Sequence, residues 1–525
     1  MLAVGGLAAL FFGIGLIRAP IPGVNESHYL GKARHFWQPD WCAGDLFLES
    51  ANPHAVFYAA FGWLTTRWSL SEVALILRAG QCLILAAGWV ALGQRVTGSL
   101  GRTLIAATLF LLWQASGTWS GEWLVGGAES KVWAYGGLLL SAAWGLEGRW
   151  NRSALAAGFA ISLHPVVGCW GLIIAGIAWG ISRLEALRNP SAQPLARTEP
   201  TAPRTVLITG MLLIAAALPG LIPAVQSLSA PSPEVAREAD YLQVAVRLPH
   251  HLDPLTFPVR AWRDYLLLVL VWSLLKKQPL SQPPAQSLQG NLWIERWMLA
   301  SLLVALGGLI AAWGPRPFQE MPFWALRAKL LKLYPFRLGD MLVPITVAFS
   351  AAAALWPTTS MNLRRKVLVS LLSLGALYAT FRLPIPDRIL ATQPAAIQSD
   401  WLAASAWIRQ HTPEDAVVQA IHDNWALRWY AERSEYFHFK DCPQDPASIV
   451  EWNRRYQLIN QWKLKTFSDG RGSQIELNDL SHQTGIQYLL CFAYTPMESQ
   501  PVFASPYFRV YRIESTTIAG PTPAP

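Results

Sequence analysis

Charge is scarce in this chain. Asp, Glu, Lys and Arg make up 14% of its 525 residues, well below the roughly 25% of ordinary soluble domains. Cysteine is scarce as well. The five Cys residues show no paired metal-type spacing, which argues against a zinc site or a disulfide framework. Cys442 and Cys491 would be able to join only if their domain is extracytoplasmic, and free buried thiols are the alternative. No Walker loop, dinucleotide fingerprint or serine-hydrolase elbow is present, so nucleotide-driven chemistry has no support. No internal repeat of transporter type stands out.

What the chain has is apolar length. Hydrophobic residues make up 52% of it and mean hydropathy is +0.26, with repeated runs near the ~20 residues that cross a bilayer. These runs predict helices near 2–18, 73–92, 103–118, 131–146, 205–227, 263–277, 297–313, 338–356 and 367–384. A further run at 153–182 is too long for one untilted span and carries Pro165 at its middle, so a turn at His164-Pro165 is expected to divide it into two. That division places Arg95/Arg102, Arg149/Arg152, the Arg183, Arg188, Arg197 and Arg204 loop, Lys276/Lys277/Arg296 and Arg364/Arg365/Lys366 on one side. By the tendency of Lys and Arg to remain in the cytoplasm, the reading is about 11 transmembrane helices, N-terminus in and C-terminus out. The formal charge of +9 therefore reports topology, and no nucleic-acid partner is expected. The first apolar run lacks a basic n-region and a clear cleavage site, and reads as a membrane segment rather than a signal peptide.

The outer loops, 19–72, 119–131, 228–262 and 314–337, hold the chemistry. The first begins Asn25-Glu26-Ser27-His28-Tyr29 and continues through Asp40 and Asp45 to His54. A carboxylate at the edge of hydrocarbon is costly to desolvate and marks a candidate reaction centre. The second, Ser120-Gly121-Glu122-Trp123-Leu124-Val125-Gly126-Gly127-Ala128-Glu129-Ser130-Lys131, combines carboxylates with aromatics, a mixture that suits a sugar or polar headgroup. An interfacial aromatic belt accounts for Trp119, Trp123 and Trp133 but less well for Glu122 and Glu129. The third holds Arg247-Leu248-Pro249-His250-His251-Leu252-Asp253, where phosphate or hydroxyl contacts suit the imidazoles better than a metal. In the fourth, Arg316, Arg327, Lys329, Lys332 and Arg337 defy the charge rule. The Lys residues fit an amphipathic interfacial helix, Trp324 to Leu333, whereas Arg337 stands where its fork suits a phosphate. His164 faces the same side.

From about residue 396 the composition turns globular. Helical periodicity over Leu402–Arg409 and strand-like runs at 416–421, 487–492 and 507–513 predict an extracytoplasmic α/β domain over 391–525, with a disordered Pro-rich tail at 520–525. The domain organisation is thus 1–390 membrane, 391–525 outer domain.

The strings Gly121-Glu122-Trp123, Gly126-Gly127-Ala128-Glu129-Ser130-Lys131, His164-Pro165 and Tyr334-Pro335-Phe336-Arg337-Leu338-Gly339-Asp340 resemble a bacterial branch of the GT-C superfamily of polytopic membrane glycosyltransferases. Trp407-Ile408-Arg409 with Thr412-Pro413, and Ala431-Glu432-Arg433-Ser434 leading to Phe439-Lys440, are similar to it too. The resemblance implies transfer of a hexosyl or pentosyl group from a polyprenyl-phosphate-linked sugar to a lipid, glycan or protein acceptor, on the outer face of a bacterial inner membrane. It makes Glu26 the general base, although the family's adjacent acid is here Asn25, and Asp40 and Asp45 are the alternatives. It gives donor phosphate contacts to Arg337, Lys131, His251 and Arg247, and substrate contacts to Glu122, Glu129, His164, Trp123 and His28. Arg433 and Lys440 become candidate contacts from the outer domain. No metal ligands are assigned, while a divalent cation, Mg or Mn, stays open as cofactor. A transporter or flippase of a lipid-linked or polar solute is the alternative, and an assembly protein is a third class.

Overall fold

The computed structural model describes residues 1–513 apart from 24, 189–201, 277–284, 357–362, 386–388 and 421–424. The tail 520–525, Arg197, Lys277 and Ile421 lie outside the described residues, as does the side chain of Arg365. Each predicted apolar run lies on a helix: Leu2–Arg18, Leu70–Thr97, Leu100–Ser116, Ser130–Leu146, Trp150–Leu163, Pro165–Arg188, Pro203–Gln226, Val259–Lys276, Ala285–Ala312, Arg337–Leu355 and Leu363–Arg382. Helices satisfy their own backbone groups, as hydrocarbon requires. Ends are set by local chemistry. Ser69 and Glu72 form a capping box before Leu70, and Gly98 closes the same helix in the left-handed region. The long 153–182 run breaks at His164, which takes an extended conformation, φ −145° and ψ 91°, ahead of the proline that cannot continue a helix.

Five described helices have the length and apolar character to cross a membrane: Leu70–Thr97, Pro165–Arg188, Pro203–Gln226, Leu288–Ala312 and Arg337–Leu355. Their surroundings confirm the class. Leu207, Met211, Ile214, Ile222 and Val225 on one helix, Leu266, Leu270 and Leu274 on another, and Leu368, Leu371 and Leu374 on a third are all exposed. So continuous an apolar surface needs hydrocarbon around it. The chain is a multi-pass membrane protein.

The bundle has two polar ends. At one, Arg95 pairs with Glu147, Arg102 donates to the Thr97 and Trp356 carbonyls, and Lys276 meets Glu295. At the other lie Arg18, whose guanidinium donates to the Leu383 and Pro384 carbonyls, together with Arg78, Ser120, His164 and Arg337. Small residues bring helix backbones close between these ends. A Cβ at Gly220 would lie 2.2 Å from the Ser162 carbonyl oxygen, and one at Gly158 would lie 2.5 Å from the Ala216 side chain.

The C-terminal segment, from Ala395 onward, sits on the second end. Its five-stranded sheet runs in the order β2 (Ser434–Glu435), β1 (Val417–Ala420), β3 (Tyr488–Phe492), β5 (Phe508–Arg512), β4 (Phe503–Ala504). The first two pairings are parallel and the last two antiparallel. Helices Ala395–His411 and Pro446–Thr466 accompany the sheet. The loop at 19–69 is mostly helical, Glu26–Trp37, Leu46–Glu49 and Ala55–Phe61, and packs between bundle and domain.

Overpacking a tight helix contact costs about 1–3 kcal/mol. Gly220→Val is therefore expected to lower the thermal stability of the detergent-solubilised protein. Gly210→Val on the same helix meets open space and is the control, expected to change little.

Candidate functional site

The loop 119–131 is fixed by buried polar side chains that the membrane helices project into it. Asp340 accepts from the backbone N–H of Trp119, Ser120 and Glu122 at 2.9, 3.0 and 2.9 Å, and from the Ser120 hydroxyl at 2.9 Å. Tyr265 donates to the same carboxylate. Gln114 takes the N–H of Leu124 and Val125 and returns a bond to the Val125 carbonyl, and Gln81 does the same for Gly127 and Glu129. Glu26 accepts from Ala128 N at 2.7 Å. Irregular backbone at this depth is tolerated because its polar groups are met in this way.

Beside that loop is a cavity of about 150 Å³ with walls drawn from residues 25–29, 121–131, 164, 243–251, 334–337 and 440–444. Glu122, Glu129, Lys131, His164, Arg247, His251, Arg337 and His28 all line it, so eight sequence-predicted contacts converge from five stretches of chain. Lys131 Nζ lies 3.2 Å from Glu129 and 3.6 Å from Glu122. Arg337 Nε lies 3.2 Å from Glu122, its Nη1 lies 3.3 Å from His164 Nε2, and its guanidinium stacks 4.1 Å above the Tyr334 ring. Tyr334 itself takes φ +58°, which costs a non-glycine residue about 1–2 kcal/mol, and that turn carries Arg337 into the cavity. Trp123 stands behind Lys131, with Nζ 4.0 Å from its ring centroid. Gly121, at φ +77°, is needed because a Cβ there would lie 2.3 Å from the His251 ring.

The environment sets the charges. Burial pushes the Glu129 carboxyl above its usual range, with Lys131 and Asn25 acting against it. Burial also drives the imidazole of His251 well below its usual value, as the adjacent His250 does, and His28 follows by burial and then by Lys32, Lys440, Arg428 and Arg247. These rings are neutral hydrogen-bonding groups. His251 Nδ1 donates to the Ser120 carbonyl.

The three acids expected as base lie elsewhere. Glu26 is fully buried and pairs with Arg78 through both oxygens, at 2.5 and 2.7 Å, while Gly23 N and Ala128 N also donate to it. Every acceptor position is in use, and the carboxylate ties the Gly23 turn to the loop at Ala128. Asp45 caps the helix Leu46–Glu49 and accepts from Arg428 at 2.8 and 2.9 Å. Asp40 is exposed in a turn. Arg433 is also structural, donating to Thr412 and to the Arg409 and Glu432 carbonyls, whereas Lys440 lines the cavity. Of the fourth-loop cations, Arg316 pairs with Asp253, Lys332 with Asp240, and Lys329 is exposed on the helix Trp324–Leu331. That leaves Arg337 as the fourth-loop cation in the cavity.

Residues that sequence reasoning passed over are Gln243 and Tyr334 on the wall and Arg78 and Gln81 behind it. An arginine inside the apolar run 73–92 was the available signal for a buried partner. All five Cys are free, Cys442 and Cys491 among them. For a divalent cation the donor set does not fit: Glu122 and Glu129 are each engaged by a cationic side chain. Among the described residues no three His, Cys, Asp or Glu side chains gather in a metal-like group.

Residues 399–459 match a family described as Domain of unknown function (DUF6798). That segment carries Arg428, Lys440 and Asp441. Among curated proteins none matches the sequence. In backbone the chain is similar to the oligosaccharyltransferase AglB of Archaeoglobus fulgidus, solved with an inhibitory peptide and a dolichol-phosphate. The TM-score is 0.41 at 12% identity over 93% of this chain and 69% of that one. A second structure of that oligosaccharyltransferase, with Zn and sulfate, gives 0.41 at 13% over 93% and 68%. The arabinofuranosyltransferase AftD from Mycobacteria gives 0.48 at 14% identity, covering 97% of this chain and 40% of that protein's length.

Removing one partner of a buried ion pair costs about 3–5 kcal/mol. Glu26→Gln is expected to destabilise the protein on that scale, because Arg78 stays buried, and thermal unfolding in detergent will measure it. Asp40→Asn, at an exposed turn, is expected to stay within about 0.5 kcal/mol.

Proposed function

We propose that this protein is a membrane glycosyltransferase that moves a sugar from a polyprenyl-phosphate donor to an acceptor hydroxyl. The observation that carries the reading is one cavity at the end of an apolar bundle, in which Lys131, Arg247, Arg337 and Lys440 surround Glu122 and Glu129. Four cations against two carboxylates leave a positive excess that suits a phosphate group. The resemblance of the second and fourth loops to GT-C enzymes points the same way. In this reading the opposite, cation-rich end faces the cytoplasm, which the charge rule favours, and the cavity opens on the outer face of a bacterial inner membrane.

The residues divide the work by chemistry. Arg337, with a fork suited to two phosphate oxygens, and Lys131 meet the charge that develops on the departing lipid phosphate. Such a leaving group is a weak base and needs no acid catalyst. Glu122 is buried on the wall beside Lys131, Arg337 and the Tyr135 phenol, and its carboxylate has the capacity to accept a further donor from a ligand. A sugar hydroxyl supplies one. His251 and His164, neighbours of Glu122 and Arg337 on the wall, offer further contacts to hydroxyl or phosphate oxygens. A transporter would place its charged groups at mid-membrane along a path, whereas here they gather at one end.

The test is sugar transfer by purified protein in nanodiscs, with radiolabelled polyprenyl-phosphate pentoses and hexoses and the products resolved by chromatography. Wild type is expected to transfer or slowly hydrolyse one of these donors. Arg337→Gln is expected to lower turnover about 100-fold, the loss typical of one electrostatic stabiliser. Donor binding without turnover in wild type would favour transport instead.

A further inference from the structure

The first-loop helix Glu26–Trp37 begins at the cavity wall, and its first turn contributes His28. The ring is clasped from behind. His28 Nδ1 lies 3.1 Å from Asp441 Oδ1 of the outer domain, and Phe47 packs with its centroid 4.1 Å from that of the imidazole. Asp441 is 6% exposed and is held in turn by Arg428, which contacts its second oxygen and grips Asp45 with the same guanidinium. His438 Nδ1 stands 3.6 Å from Asp441. A carboxylate fixed so firmly can only accept, so Nδ1 of His28 carries the hydrogen. Nε2, on the other side of the ring, then holds the lone pair, and it bonds no described residue.

We propose that His28 is the general base of the transfer and that Asp441 is its positioning residue. The proposal rests on the glycosyltransferase reading of the same cavity. His28 Nε2 takes the proton of the acceptor hydroxyl as its oxygen bonds to the anomeric carbon. The bond from that carbon to the phosphate oxygen breaks, and its electron pair leaves with the lipid phosphate toward Arg337 and Lys131. The proton on His28 passes to water once product departs. The surrounding cations, Lys32, Lys440, Arg428 and Arg247, disfavour an imidazolium, so the ring is neutral before reaction, and Asp441 against Nδ1 offsets their repulsion as the proton arrives. Glu122 and Glu129 are the competing bases on the wall, but both share Lys131. His251 donates its Nδ1 hydrogen to a neutral carbonyl and lacks the carboxylate that would steady a proton on the ring.

The experiment compares wild type, His28→Ala and Asp441→Asn in nanodiscs with the same polyprenyl-phosphate pentose and hexose donors, measuring donor binding and turnover separately. His28→Ala is expected to lose about 10²–10⁴-fold in turnover, the usual range for a general base, with donor affinity within about threefold of wild type. Added imidazole is expected to restore at least tenfold of that loss, more strongly as pH rises and more free base is present. A purely structural role would not respond to imidazole. Asp441→Asn is expected to lower turnover at unchanged donor affinity. His28→Ala with wild-type turnover would overturn the dyad and leave the glycosyltransferase reading standing. Loss without rescue would overturn it too and reduce His28 to packing against Phe47. A wild type that turns over none of the donors would overturn the glycosyltransferase reading, and the dyad with it.

Discussion

Everything at the site depends on the carboxylate of Asp340. It reaches from the start of a membrane helix into the neighbouring loop and accepts three consecutive-region backbone N–H groups, the Ser120 hydroxyl and the Tyr265 phenol. Those donors, left alone in a low-dielectric setting, would each cost about 1–3 kcal/mol. Together they fix the backbone from which Glu122 emerges. Arg337, one turn earlier on the same helix, then meets the Glu122 side chain. One helix start therefore both fixes the loop and sets a cation in the cavity, and its two ionic residues divide those tasks.

A parallel division runs through the rest of the charged inventory. Glu26 with Arg78 and Asp45 with Arg428 are closed pairs, fully occupied and buried. Glu122 and His28 line the cavity instead, and His28 Nε2 bonds no described residue. Within one small region, the residues with nothing left to offer form the scaffold, and those with an open valence face the cavity.

The sequence made the helices legible because apolar runs of membrane length have few alternatives, and Pro165 marked the break at His164. Arg337 was legible for a similar reason, being a cation on the wrong side of a charge rule. The loop strands of the outer domain at 417–420, 488–492 and 508–512 followed from short apolar stretches between turns. The pairing of Glu26 was not legible, because an acid's availability depends on its partner. Glu26 is silenced by Arg78, 52 residues away, and no periodicity links the two. Asp441 went unnoticed because its significance lies in a contact with His28, 413 residues distant, which only the folded chain reveals.

Arg18 closes the bundle by donating to the carbonyls of Leu383 and Pro384, so the last membrane helix ends beside the first. That junction delivers the outer domain to the corner where the first loop begins. The Glu26–Arg78–Ala128 frame joins nearby parts of the sequence, whereas the wall formed by Lys440 to Gln444 is brought to it from far along the chain. Long-range closure of this kind comes late in folding. The cavity is thus completed by its contact of longest reach, and loss of that closure removes Lys440 and the wall together while leaving the frame in place.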